Sequence, residues 1–201
     1  MATQAETGVL SAADAQTSSR TAFQVRGAGP ILLAMALVAV AARIAVPLPG
    51  TVVPVTLQDL AVLAIGIVLG PRRGALAIAS YVLLGAMGAP VFSNGMAGIG
   101  WLMGPTGGYL LAFPMAAGVI GLGASTRRML PFVASLLAAH AVTFTGGVLQ
   151  LALVSGNGVE AAARAGLLPF LPGIALKSVL LIAFFAAWTR WRATEGSAGL
   201  E

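Results

Sequence analysis

Residues 57–90 read LQDLAVLAIGIVLGPRRGALAIASYVLLGAMGAP. Two apolar runs flank PRRG (71–74), and apart from Asp59 the only charges in the stretch are Arg72 and Arg73. Apolar runs of this kind, joined by a charged turn too short to span anything, read as a helical hairpin in a membrane. The first run is short against the roughly 20 residues that cross a 30 Å hydrocarbon core.

The same pattern recurs along the chain. Apolar segments fall near 29–46, 57–70, 74–90, 108–124, 130–154 and 172–189, with Pro114 predicting a kink in the fourth. Arg20 and Arg26 precede the first, Arg72 and Arg73 lie between the second and third, Arg127 and Arg128 between the fourth and fifth, and Arg190 and Arg192 follow the sixth. The alternate connections (47–56, 91–107 and 155–171) hold only Arg164. Basic residues mark the cytoplasmic side, so six crossings put both termini in the cytoplasm. The cytoplasmic turns, PRRG and STRR, are minimal, whereas the outer loops are long and rich in Gly and Pro. A site held by loops on a rigid scaffold is therefore expected near the external face.

Composition agrees with this class. The 201 residues are 58% hydrophobic and 8% charged, with a mean hydropathy of +0.95. A soluble domain carries about 25% charged residues, so lipid has to cover much of this surface. The expected fold is an all-α integral membrane domain over 28–192, with a disordered cytoplasmic tail over 1–27 and a cytoplasmic tail over 193–201. Glu6 and Asp14 precede any apolar run, which argues against a cleaved signal peptide. The absence of cysteine excludes thiolate chemistry, and a single histidine makes a zinc site of the usual kind untenable. The net charge of +5 is spread along the chain, against nucleic-acid binding. No GxxxxGK[ST] motif is present, and GIG (98–100) lacks the third glycine of a dinucleotide loop, so the chain hydrolyses no nucleotide itself.

Few polar residues interrupt the apolar segments. His140 is expected to bond a neighbouring helix; a proton relay would lack an acidic member, because segments three to six hold no Asp or Glu. Asp59 precedes an apolar run and reads as a helix N-cap. Arg43 reads as snorkelling or making a structural bond. Lys177, within LPGIALKSVLL, either snorkels to the outer interface or meets a polar ligand in a pocket. Alanines at 34, 36, 39, 41, 42 and 45 give segment one a small-residue face suited to close helix packing, within the chain or with a partner.

These residues carry a resemblance. VVPVTLQ (52–58), LGPRRGA (69–75), GAPVF (88–92), GPTGGY (104–109) and FLPGIALK (170–177), in this order and spacing, resemble the BioY family. Its members are the substrate-binding S components of energy-coupling-factor biotin transporters. The resemblance spans most of residues 46–177. It implies six membrane helices, a bacterial cytoplasmic (inner) membrane location and biotin uptake without catalysis by this chain. It also implies partners, a transmembrane T component and ABC ATPases that hydrolyse the ATP; the chain holds no cofactor of its own. The small-residue face of segment one resembles the docking surface of S components.

For the substrate site, the resemblance implies Lys177 and the loop after PVF; Gln58 is a candidate acceptor, and Phe92, Trp101 and Tyr109 are candidate walls, since ligand pockets are mostly apolar. Two departures bear on it. Family members read PGDxxK where this chain has Pro172-Gly173-Ile174, so Ile174 replaces an aspartate on the face of Lys177. A polar residue, commonly Asn, is also expected where this chain has Met96, with Asn94 two residues earlier as its substitute. Biotin's ureido ring offers two N–H donors, and a buried donor without an acceptor costs about 1–3 kcal/mol. Ile174 and Met96 thus raise the alternative of another small vitamin or carboxylated precursor on the same fold. The loop NGMAGIGWLMGPTGG (94–108) is expected to fold over the pocket, its glycines allowing tight backbone turns.

Overall fold

A computed structural model describes residues 28–49 and 51–198. Helix α1 (Ala28–Arg43) leads into a two-residue antiparallel ribbon, β1 (Ala45–Val46) with β2 (Val55–Thr56), in which Ala45 pairs with Thr56. Then follow α2 (Gln58–Ala86), α3 (Ile99–Leu102), α4 (Gly107–Ser125), α5 (Met129–Ser155), α6 (Gly158–Gly166) and α7 (Leu171–Ala198). Single 3₁₀ turns cover Ser93–Gly95 and Leu168–Phe170. Among the described residues, four stretches are long and apolar enough to cross a membrane (58–86, 107–125, 129–155 and 158–192), and α1 is a shorter apolar helix.

Helix α2 is two helical arms that meet at a kink, where the chain reverses direction. Gly70, at φ 77° and ψ −179°, breaks the helix before Pro71; only glycine takes this conformation without steric cost. Gln58 Nε2 donates to the Tyr81 hydroxyl at 2.9 Å, 23 positions away. A straight helix at 1.5 Å per residue would hold them about 35 Å apart. The two arms instead meet at glycines: a Cβ on Gly74 would lie 3.0 Å from the Gly66 Cα. This is the hairpin that LGPRRGA predicts.

Helix α4 is the centre of the molecule, 67% buried over its apolar window against 17% for the last span. It docks on the hairpin backbone to backbone. A Cβ on Gly121 would meet Pro71 N at 2.6 Å, and one on Gly66 would meet Ala117 O and the Ile120 side chain. Close approach of small residues is how helices associate where no hydrophobic force distinguishes a neighbour from lipid. Gly66→Ala should therefore overpack the contact and cost about 1–3 kcal/mol, read as a lowered melting temperature in detergent. An unchanged melting temperature would contradict the close hairpin–α4 packing. One apolar core includes Val38, Val62, Ile78, Tyr81, Phe92 and Phe170. A second joins α5 to α7, where the Phe132 and Phe185 rings stack at 3.9 Å. Leu149, Leu153, Leu176 and Val179 are exposed on the outer faces, as lipid-facing positions should be.

The helices follow the apolar segments, with two differences. The connection 155–171 is mostly ordered: it holds α6, whose exposed Glu160 and Arg164 pair at 2.7 Å across one turn. Helix α7 runs to Ala198, so the expected tail from 193 is helical as far as it is described. Pro114 lies inside α4, which continues past it to Ser125. The expected N-terminal tail, with Arg20 and Arg26, lies outside the described residues, as do 199–201.

Candidate ligand pocket

The start of α2 creates the pocket's polar end. The Gln58 N–H donates to Thr56 Oγ1 at 3.2 Å, turning the chain from β2 into the helix. Asp59 is not the N-cap. Leu57 occupies that position without a side-chain cap, and the Asp59 carboxylate instead accepts from Lys177 Nζ at 2.6 Å. Lys177 also donates to the Thr56 carbonyl at 2.7 Å and is only 8% exposed. The lysine is thus held inside the protein by an acceptor 118 positions earlier, and it does not snorkel. A buried ion pair repays its desolvation only when its geometry is good and its remaining hydrogen-bonding capacity is used. Here the ammonium has two acceptors, one of them a carboxylate, and both ionic residues line a cavity.

That cavity encloses about 550 Å³ of empty space when its open mouth is included. Gln58, Ser93, Thr106 and Thr143 add polar groups, and Val53 and Pro54 from the ribbon connection close one side. Aromatic rings form the opposite wall. Tyr109 meets Phe144 edge-on at 5.8 Å, and Phe144 meets Phe170 at 6.0 Å; Trp101 and Phe113 extend the surface. The Tyr109 hydroxyl donates to the Gly166 carbonyl at 2.7 Å, so its ring rather than its hydroxyl serves the cavity and α6 is its anchor. Trp101 Nε1 is buried without a hydrogen-bond partner among the described residues.

The glycine-rich loop does fold over this space. Trp101 and Thr106 line the cavity from it, and Gln150 Nε2 on α5 pins it by donating to the Leu102 and Gly104 carbonyls at 2.6 and 2.8 Å. Gly98, at φ 92°, donates to the Gly85 carbonyl at 2.7 Å and fixes the other end on α2.

Of the residues expected at the site, the structure brings Lys177, Gln58, Tyr109 and Trp101 together. Phe92 lies behind it, fully buried and edge-on to Tyr81 at 5.9 Å. Asn94 is exposed in its 3₁₀ turn at φ 56°, and Met96 is 42% exposed. Ile174 is half-buried and lines a separate cavity with His140 and Leu171. The two departures from the family pattern thus fall off the cavity, and Asp59 supplies a carboxylate beside Lys177 from another helix. Asp59, Ser93, Phe113, Phe144 and Phe170 were not singled out as site residues; Phe170 stands within FLPGIALK, and Asp59 directly follows VTLQ. Met96→Asn is accordingly expected to leave ligand affinity within a factor of about three, the ordinary reach of a surface substitution. A tenfold gain measured by ligand titration would place that side chain in the site.

The other polar residues serve the scaffold. His140 Nε2 lies 3.1 Å from Ser178 Oγ on α7, and Arg43 Nη2 donates to the Pro90 carbonyl at 2.7 Å.

Comparison with known proteins agrees with this architecture. The BioY family model matches residues 15–194. A probable biotin transporter BioY of Pyrococcus horikoshii is 40% identical over 141 residues, covering 70% of this chain and 82% of that protein. The biotin transporter BioY of Thermotoga maritima is 43% identical over 136 residues, covering 67% and 79%. The crystal structure of an S-component for biotin from an ECF-type ABC transporter superposes with a TM-score of 0.75 at 22% identity, over 85% of this chain and 92% of that one, and so shares its fold. A hairpin-built, multi-pass helical protein with a loop-covered pocket, matched along nearly its whole length, belongs to the BioY family.

Proposed function

We propose that this chain captures biotin in the cavity at Asp59 and Lys177 and carries it across the bacterial cytoplasmic membrane. It does so as the S component of an energy-coupling-factor transporter and catalyses no reaction. The observation that carries the reading is the buried ammonium–carboxylate pair lining a cavity that also holds an aromatic cluster. A cyclic urea presents a carbonyl between two N–H donors: Lys177 donates to the carbonyl, and Asp59 accepts from an N–H. The Gln58 amide spends its Nε2 on Tyr81, which leaves its oxygen as a second acceptor. The rings of Trp101, Tyr109, Phe144 and Phe170 suit the thiophane ring and the alkyl tail. The relatives named as biotin transporters favour this ligand. The case for a different vitamin loses its basis, since Ile174 and Met96 lie outside the cavity.

Six membrane crossings follow when α2 is counted as two arms. The α2 bend, the α4–α5 turn and the last turns of α7 converge on one cavity, so Arg72, Arg73, Arg127, Arg128, Arg190 and Arg192 share an end of the molecule. The positive-inside rule assigns that end, with both termini, to the cytoplasm and the ligand cavity to the outer side. A T component and ABC ATPases would supply the energy, with no cofactor held by this chain. The test is uptake of radiolabelled biotin by cells lacking their own biotin transport. Accumulation is expected when the chain is co-expressed with a T component and ATPases and is lost when the ATPases are inactivated. Equal accumulation with inactive ATPases would overturn the partner assignment.

A further inference from the structure

A second polar cavity lies at the opposite, arginine-rich end. It spans about 680 Å³ with its mouth, between the α2 bend at Gly70, the α4–α5 turn and the last turns of α7. Its described lining carries the guanidinium groups of Arg127 and Arg192 and no carboxylate. Ser125 and Thr189 also line it, but their hydroxyl protons go to the Leu122 and Phe185 carbonyls at 2.7 and 3.0 Å. Positive charge is therefore what the cavity offers a ligand.

The two arginines are not equivalent. Arg192 stacks on the Trp188 ring, 4.9 Å from its centre, which holds its planar fork in place. Arg127 makes no side-chain hydrogen bond among the described residues. The other wall is apolar: Val68 lines the cavity while itself exposed, and Leu122, one turn before Ser125, is exposed on the outer face of α4. A ligand that satisfies both walls has an anionic head and hydrocarbon tails. Basic pockets between membrane helices near an aromatic side chain at the interface suit such molecules.

We propose that this cavity binds the phosphate of an anionic phospholipid headgroup, with the acyl chains lying along Val68 and Leu122. The test uses purified full-length protein equilibrated with an equal mixture of phosphatidylglycerol and phosphatidylcholine, with bound lipid counted by native mass spectrometry. The unaltered protein should retain phosphatidylglycerol preferentially. R127Q/R192Q should retain it about 30-fold less, the loss of two surface charges' attraction. R72Q/R73Q removes the same charge from the same end outside the cavity lining and should largely keep the preference. Equal losses in the two double variants would show bulk surface charge and overturn the proposal. Equal retention of phosphatidylcholine, or displacement of phosphatidylglycerol by the same concentration of inorganic phosphate, would overturn it as well. All four substituted side chains are exposed, so unchanged melting temperatures without lipid should show that both variants fold.

Discussion

Lys177→Ala abolishes biotin binding at micromolar ligand and destabilises the protein by about 3–5 kcal/mol, the cost of stranding one member of a buried ion pair. The loss has two parts. Without the ammonium, the ureido carbonyl has no charged donor at this end of the cavity. Asp59 is meanwhile left largely buried, with the Thr56 carbonyl also losing its partner. Lys177→Met keeps the stem and removes the charge, so it separates packing from electrostatics and should bind as poorly as the alanine variant. Saturable titration of Lys177→Ala with affinity near that of the unaltered protein would remove Lys177 from the site.

Asp59→Asn is the second large effect. The amide keeps the shape and an oxygen acceptor but gives up the negative charge that holds Lys177. A charge-assisted hydrogen bond is worth about twice a neutral one, and affinity should fall roughly 10- to 100-fold, from about 1.5–3 kcal/mol for a bond to a charged group. The pair also predicts coupling: Asp59→Ala/Lys177→Ala should be more stable than the sum of the two single losses implies, because the double variant buries no lone charge. Additive losses measured by thermal unfolding would show that the two side chains act independently. Ile174→Asp, by contrast, places a carboxylate beside His140 in the neighbouring cavity and should not raise biotin affinity.

The hairpin and the helix succession were legible because each rests on local rules. The PRRG turn is too short to span anything, and its paired arginines sit where apolar runs stop. The polar centre was only half legible. The expense of an ammonium in an apolar helix marked Lys177, but its partner lies 118 positions away and follows from how α7 packs against the start of α2. An acidic residue ahead of an apolar run looks locally like a cap, and nothing in the run reveals that its carboxylate faces another helix. Ile174 illustrates the same limit. Three positions before Lys177 suggests a shared face, yet the side chain falls into the adjacent cavity because the crossing of α7 over α5 decides which groove each turn enters. Helix α6 was missed for a different reason. Its small and polar residues carry no long apolar run, and it takes its place through the hydrogen bond from Tyr109 to Gly166.

The most direct measurement is equilibrium titration of the purified, unaltered chain with radiolabelled biotin, in the absence of partners. Saturable binding at one site is expected, resistant to excess of vitamins lacking a cyclic urea and competed by desthiobiotin, which keeps the ureido ring. No saturable binding at micromolar biotin, or competition by vitamins without that ring, would contradict the assignment of Asp59 and Lys177 to urea recognition.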